Sequence, residues 1–172
     1  MKYTVTSAQA NKLLRKFNED YDALVQNEEQ SASFVAALGE DVESVRPAYD
    51  FAATQAKLRE LEEKIRTLKH AINRFNSETE VPGFGMTIDA VLVLIPQLNR
   101  RKGRLAEMKG ALPKTRERLA GYGASGVAVD YRYANYEIAA AAEAYDAIAD
   151  ELSRAQTALD SVNNTVTFEV EV

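Results

Sequence analysis

The sequence predicts a mainly α protein, with long antiparallel helices in a coiled-coil or four-helix-type bundle and short β strands near one end. Three observations carry that prediction. Four segments place apolar residues at alternating steps of three and four, the stripe that a helix turns toward a partner. Gly, Pro and Asn collect at the joints between those segments. Three short stretches alternate apolar and polar residues with period two, the pattern of half-buried strands. At 172 residues the chain is the size of one domain and can bury a core without staples, so residues 1–172 are read as a single helical domain.

The chain opens on a strand over residues 2–6. A first helix follows over 7–38, capped by Ser7, with a seam of Ala10, Leu14, Phe17, Tyr21, Leu24, Glu28, Ser31, Val35 and Leu38. Glu28 and Ser31 interrupt that seam and predict looser packing there, and Gly39 ends the helix or begins its C-cap. The second helix, 47–76, carries the cleanest heptad: Phe51, Thr54, Leu58, Leu61, Ile65, Leu68, Ile72 and Phe75. Pro47 suits its first turn, where the missing N–H would be unpaired in any case. Glu60 and Lys64, and Glu62 and Arg66, stand one turn apart on its outer face in the favourable order. At 1.5 Å per residue this helix is a rod about 45 Å long.

A corner follows. Asn73 and Asn76 sit one turn apart at the rod's end, where Asn amides satisfy free backbone groups. Pro82, Gly83 and Gly85 reverse the chain, and Thr87 restarts it as the N-cap of a third helix over 87–112. Asn73, Asn76 and Thr87 are therefore read as a structural corner, and Val81, Phe84 and Met86 at its tip as a candidate interaction surface. The third seam is Ile88, Val91, Ile95, Leu98, Lys102, Leu105, Met108 or Lys109, and Leu112. Asp89 lies in the first turn, where the helix dipole favours negative charge. Pro96 removes one backbone hydrogen bond and crowds the preceding turn, which predicts a kink near 92–96. Pro113 begins a further short turn, and Gly121, Gly123 and Gly126 mark a flexible loop. A strand over 127–133 leads into the fourth helix, 135–163, with Ile138, Ala141, Tyr145, Ile148, Leu152, Ala155, Leu159 and Val162 on its seam. A last strand, 165–172, puts Val166, Phe168, Val170 and Val172 on one face. The three strands can meet as one small sheet at an end of the bundle, pack on the bundle, or add to a neighbour's sheet, since two strands alone are marginal in water.

Little of this carries chemistry. With no cysteine, disulfides, thiolate metal sites and cysteine nucleophiles are excluded. The one histidine, His70, lies beside a helix seam without a motif partner. There is no HExxH, P-loop, GxGxxG, EF-hand loop or Glu-x-x-His pair, so no cofactor and no metal is implied, and the chain is read as a non-enzyme. Asn163, Asn164 and Thr165 fit a glycosylation sequon that has no role without export. The N-terminus shows no apolar signal-peptide core, and the longest apolar run, 88–95, falls short of the roughly 20 residues a membrane span needs. A cytoplasmic location is expected.

The formal net charge of −5 argues against nonspecific nucleic-acid binding. The charge is nevertheless uneven. Residues 100–118 are strongly basic, with Arg100, Arg101 and Arg104 as a candidate patch, while residues 130–171 are strongly acidic. The favoured reading pairs the third helix with the fourth, opposite charges flanking their seam, because the basic stretch lacks interleaved aromatics for base stacking. Tyr131, Tyr133 and Tyr136 form a cluster with two readings, a lining for a ligand groove or, more often for Tyr in such a place, rings that pack with their hydroxyls in water.

AINRFNSET at residues 71–79, followed by a helix started at Thr87, resembles the INxTNxxT corner and Thr-started helix of a small bacterial family, some of whose members are labelled septicolysin. The resemblance covers residues 47–170 and includes the flanking heptad helices, a strand-like segment before the last helix, and an ending in Asn164 and Thr165 plus an alternating tail. Phe75 stands where the family has its second Thr, and Val93, Leu94, Ile95 and Pro96 stand where charged positions are expected. The resemblance implies an α-helical coiled-coil protein that oligomerises, and its label implies membrane lysis. The leading expectation is a structural or protein-interaction bundle that forms a homo-oligomer, using an exposed seam or the tip at 81–86. The rivals are a membrane-active protein and a nucleic-acid or anion binder acting through residues 100–118.

Overall fold

The computed structural model describes residues 2–117 and 130–172. The protein is mainly helical with short antiparallel strands. In chain order the elements are β1 (Lys2–Thr6), α1 (Ser7–Ser31), α2 (Val42–Val45), α3 (Phe51–Glu78), β2 (Glu80–Val81), β3 (Met86–Thr87), α4 (Ile88–Lys109), β4 (Lys114–Arg116), β5 (Tyr131–Tyr133), α5 (Ile138–Thr165) and β6 (Thr167–Glu171). The chain divides into two compact units, Met1–Thr79 with Asp160–Val172, and Glu80–Leu159.

In the first unit α1 starts at Ser7, where the sequence places it, but with a different cap. Thr6, not Ser7, is the N-cap: its hydroxyl accepts from the Gln9 N–H at 3.3 Å, and the Gln9 side chain accepts from the Thr6 N–H at 2.9 Å. The helix also stops at Ser31, well short of residue 38. The cause lies in its partner. Arg46, preceding Pro47, is held extended at ψ 121, as the proline ring requires. Asp50 then caps α3 by accepting from the Ala53 N–H at 3.0 Å, so α3 begins at Phe51 and Pro47 lies outside it. The helices run antiparallel, with Tyr21 bonded to Glu62 at 3.3 Å and Gln55 to Glu28 at 2.9 Å. Further turns of α1 would face residues before 51, where α3 has not begun, and would find no groove to fill.

Glu28, which interrupts the seam in the sequence, is an acceptor rather than a weak point. It takes the Tyr49 hydroxyl at 2.7 Å as well as the Gln55 amide. Glu62 receives Tyr21 and makes no ion pair with Arg66, whereas Glu60 and Lys64 pair as their spacing predicts. The core of this unit is Ala10, Leu68, Ile72 and Val170, with Leu13, Leu14, Phe17 and Phe168 packed around it. Val170 and Phe168 come from β6, which pairs antiparallel with β1 in the register Tyr3↔Val170 and Val5↔Phe168. A two-stranded ribbon is marginal alone. Here its apolar face lies on the helix pair, and the Phe168 ring stacks on Phe75 with centroids 4.6 Å apart.

In the second unit β2 and β3 form a short hairpin. Gly83 and Gly85 take positive φ in its turn, and the Phe84 N–H bonds the Val81 carbonyl at 3.2 Å. The helix α4 is continuous through Pro96 and ends at Lys109, capped by Gly110; Leu112 lies beyond it, exposed. It packs antiparallel on α5 through Leu98, Ile148 and Leu152, with Leu94, Ile95 and Leu105 around them. The expected flanking of opposite charges is not what joins these helices. Among the described residues no ion pair links them; instead the Lys109 ammonium sits 3.3 Å from the Tyr145 ring centroid, with Lys102 at 5.7 Å.

Of the arrangements open to the three strands, a single shared sheet is not the one adopted. β5 pairs with β4, a three-residue strand that the sequence pattern did not reveal, while β1 pairs with β6. Residues 127–129 of the expected strand, and Gly121, Gly123 and Gly126, lie outside the described residues.

Candidate functional site

The corner at the end of α3 is built by short-range geometry. Thr87 has the extended dihedrals of an N-cap, yet its hydroxyl donates to the Asp89 carboxylate and caps no backbone N–H. Asn73 is exposed, and the Asn76 side-chain oxygen is enclosed with no donor reaching it among the described residues. Of the three expected tip residues, Val81 is corrected outright: it is 1% exposed and belongs to the core. Strand alternation turns it inward while Glu80 faces out. Phe84 is half-buried, and Met86 alone is exposed.

The basic residues lie on an outward face of α4. Leu94 and Ile95 turn toward α5, which leaves Leu92 and Val93 about half exposed. With Pro96, Gln97, Arg100 and Arg101 they line an open groove of about 690 Å³. Pro96 has no N–H, so the Leu92 carbonyl lacks its usual intrahelical donor. Arg100 and Arg101 are exposed and make no ion pair among the described residues, whereas Arg104 binds Glu107 at 2.8 Å.

A second exposed surface was not singled out in the sequence. Between α1 and α3, Val35 is 93% exposed and Leu38 107%, with Phe34, Val42 and Phe51 also in solvent. Acidic residues Glu40, Asp41 and Glu43 share this stretch of chain. Glu40 accepts from the Ala37 N–H at 2.9 Å, Asp41 caps α2, and Glu43 binds Arg46 through two bonds of 2.8 and 2.9 Å. The Arg46 guanidinium lies 5.4 Å from the Phe34 ring centroid. Arg46 holds the Glu43 carboxyl below its ordinary range, by hydrogen bond first and charge second. The signal available in the sequence was the apolar pair Val35 and Leu38 lying ahead of Pro47.

The tyrosine cluster serves the β4–β5 ribbon. The Lys114 ammonium lies 3.9 Å from the Tyr131 ring centroid and 5.4 Å from that of Tyr133, and Tyr136 donates to the Met108 carbonyl at 2.9 Å. His70 is exposed on α3. Among the described residues no group of three or more His, Asp or Glu is placed to hold a metal ion, and no helix is long and apolar enough to cross a membrane.

These features define a class: a mainly helical protein with two apolar surfaces in solvent, one acidic and one basic. No family model and no curated protein matches the chain. Among solved structures, the chain is similar to a protein from Corynebacterium diphtheriae described as functionally unknown and conserved. That similarity has 21% identity and a TM-score of 0.57, and it covers 98% of this chain and 100% of the other. At that identity it shows the fold alone.

Proposed function

We propose that this chain is a non-enzymatic structural or interaction protein that works by associating with itself, its helix pairs packing in the manner of a coiled coil. The observation that carries the reading is apolar surface in solvent on both units: Val35, Leu38 and Phe51 on one, Leu92 and Val93 on the other. Contiguous exposed apolar residues rimmed by charge mark protein interaction sites. The antiparallel pairing in each unit supports the coiled-coil reading, because an isolated helix pair buries one stripe per helix and leaves the flanks for copies of itself. Light scattering across protein concentration tests the proposal. A stable oligomer supports it, and a strict monomer at all concentrations removes it.

A second reading, membrane activity, draws on the septicolysin resemblance and on the fully exposed Val35 and Leu38. Dye release from liposomes tests it, and no release over a wide concentration range removes it.

A further inference from the structure

We infer that the acidic loop of residues 33–44 in one copy of this chain docks into the α4 groove of a second copy. The inference rests on the self-association proposed above and names its surfaces. The loop presents Val35 and Leu38 almost wholly to solvent, beside Glu40, Asp41 and Glu43. Arg46, which follows the loop in the chain, is engaged by Glu43 and Phe34. The groove presents the opposite: an apolar floor of Leu92, Val93 and Pro96, ending at Arg100 and Arg101, which have no acidic partner among the described residues. Apolar anchors flanked by carboxylates thus meet an apolar floor flanked by guanidinium groups, which bind carboxylates in a fixed fork.

The backbones complement each other as well. Residues 33–36 form no regular structure and make no backbone hydrogen bond among the described residues. The Leu92 carbonyl, freed by Pro96, is an acceptor for one of those N–H groups. Each copy carries both surfaces. A reciprocal arrangement closes as a dimer, and a one-way arrangement forms a ring or a filament.

The test is solution mass against concentration for the full chain and three variants, R100E/R101E, E40K/E43K and V35S/L38S, with circular dichroism to confirm each fold. All these positions are exposed. The wild type is expected to associate, and less so as salt rises. Each variant is expected to need about tenfold more protein to associate. An equimolar mixture of R100E/R101E and E40K/E43K is expected to recover association, because the reversed charges match again. If R100E/R101E or V35S/L38S associates like the wild type, or the mixture does not recover, the docking assignment fails and self-association stands. A wild type that stays monomeric at every concentration overturns both.

Discussion

Replacing Leu68 by Ala tests the packing of the first unit at its centre. Leu68 is 0% exposed and lies in the cluster with Ala10, Ile72 and Val170, where α1, α3 and β6 meet. Leu→Ala changes in such positions cost about 2–5 kcal/mol, the spread reflecting how far the neighbours collapse into the cavity. Here Leu13, Leu14 and Phe17 are only half-buried and can shift inward, which places the cost in the lower half, at about 3 kcal/mol. Urea unfolding followed by circular dichroism reads it. With a slope of about 1.5 kcal/mol per molar, the midpoint falls by about 2 M. The chain has no tryptophan, so tyrosine fluorescence is the second probe, and coincident transitions check that one equilibrium is being read. Leu112→Ala, at a residue 66% exposed, is the control and should stay within about 0.5 kcal/mol of wild type. A Leu68→Ala midpoint indistinguishable from that of Leu112→Ala would refute the packing of β6 and α1 on α3.

Three further predictions concern backbone, pH and a single hydrogen bond. Gly83→Ala should cost about 1–2 kcal/mol from its positive φ alone, since an added Cβ meets nothing within 4 Å, whereas Gly103→Ala within α4 has the same open space without that φ and should stabilise by about 1 kcal/mol; denaturant midpoints decide both. The Glu28 bond, helped by partial desolvation, pushes the Tyr49 phenol up to about 12 from its ordinary 10.0. The fold therefore favours the neutral phenol, and its contribution is complete below pH 10 and lost as pH rises through about 12, so stability should fall across that window more steeply in wild type than in Tyr49→Phe. Tyr136→Phe removes the bond to the Met108 carbonyl and should cost about 1 kcal/mol in chemical unfolding.

The helix seams were legible because burial in a helix pair follows spacing along one chain. Leu58, Leu68, Ile72, Phe75, Ile148, Leu152 and Leu159 all fall on the predicted stripes and are buried. Features set by a distant partner were not legible. β4 has three exposed residues and exists as a strand only through its pairing with β5. Glu28 reads as a flaw in a stripe until Tyr49 and Gln55 are brought to it. Val81 belongs to a two-residue strand, too short for its alternation to show which side faces inward.

The candidate surfaces follow the same division. The charge of Arg100 and Arg101 was plain in the sequence, but the groove beside them depends on Leu94 and Ile95 turning toward α5 and leaving Leu92 and Val93 outside. The acidic loop was hidden by its own regularity, since Val35 and Leu38 continue the spacing of α1. What removes them from the seam is Pro47. The antiparallel pairing of Glu28 with Gln55 sets residues 32–38 opposite the stretch where a proline and the extended residue before it delay the start of α3. An apolar stripe that outruns its partner helix in this way cannot be completed within the same helix pair, and this is the ground on which a contact of Val35 and Leu38 with a second copy is proposed.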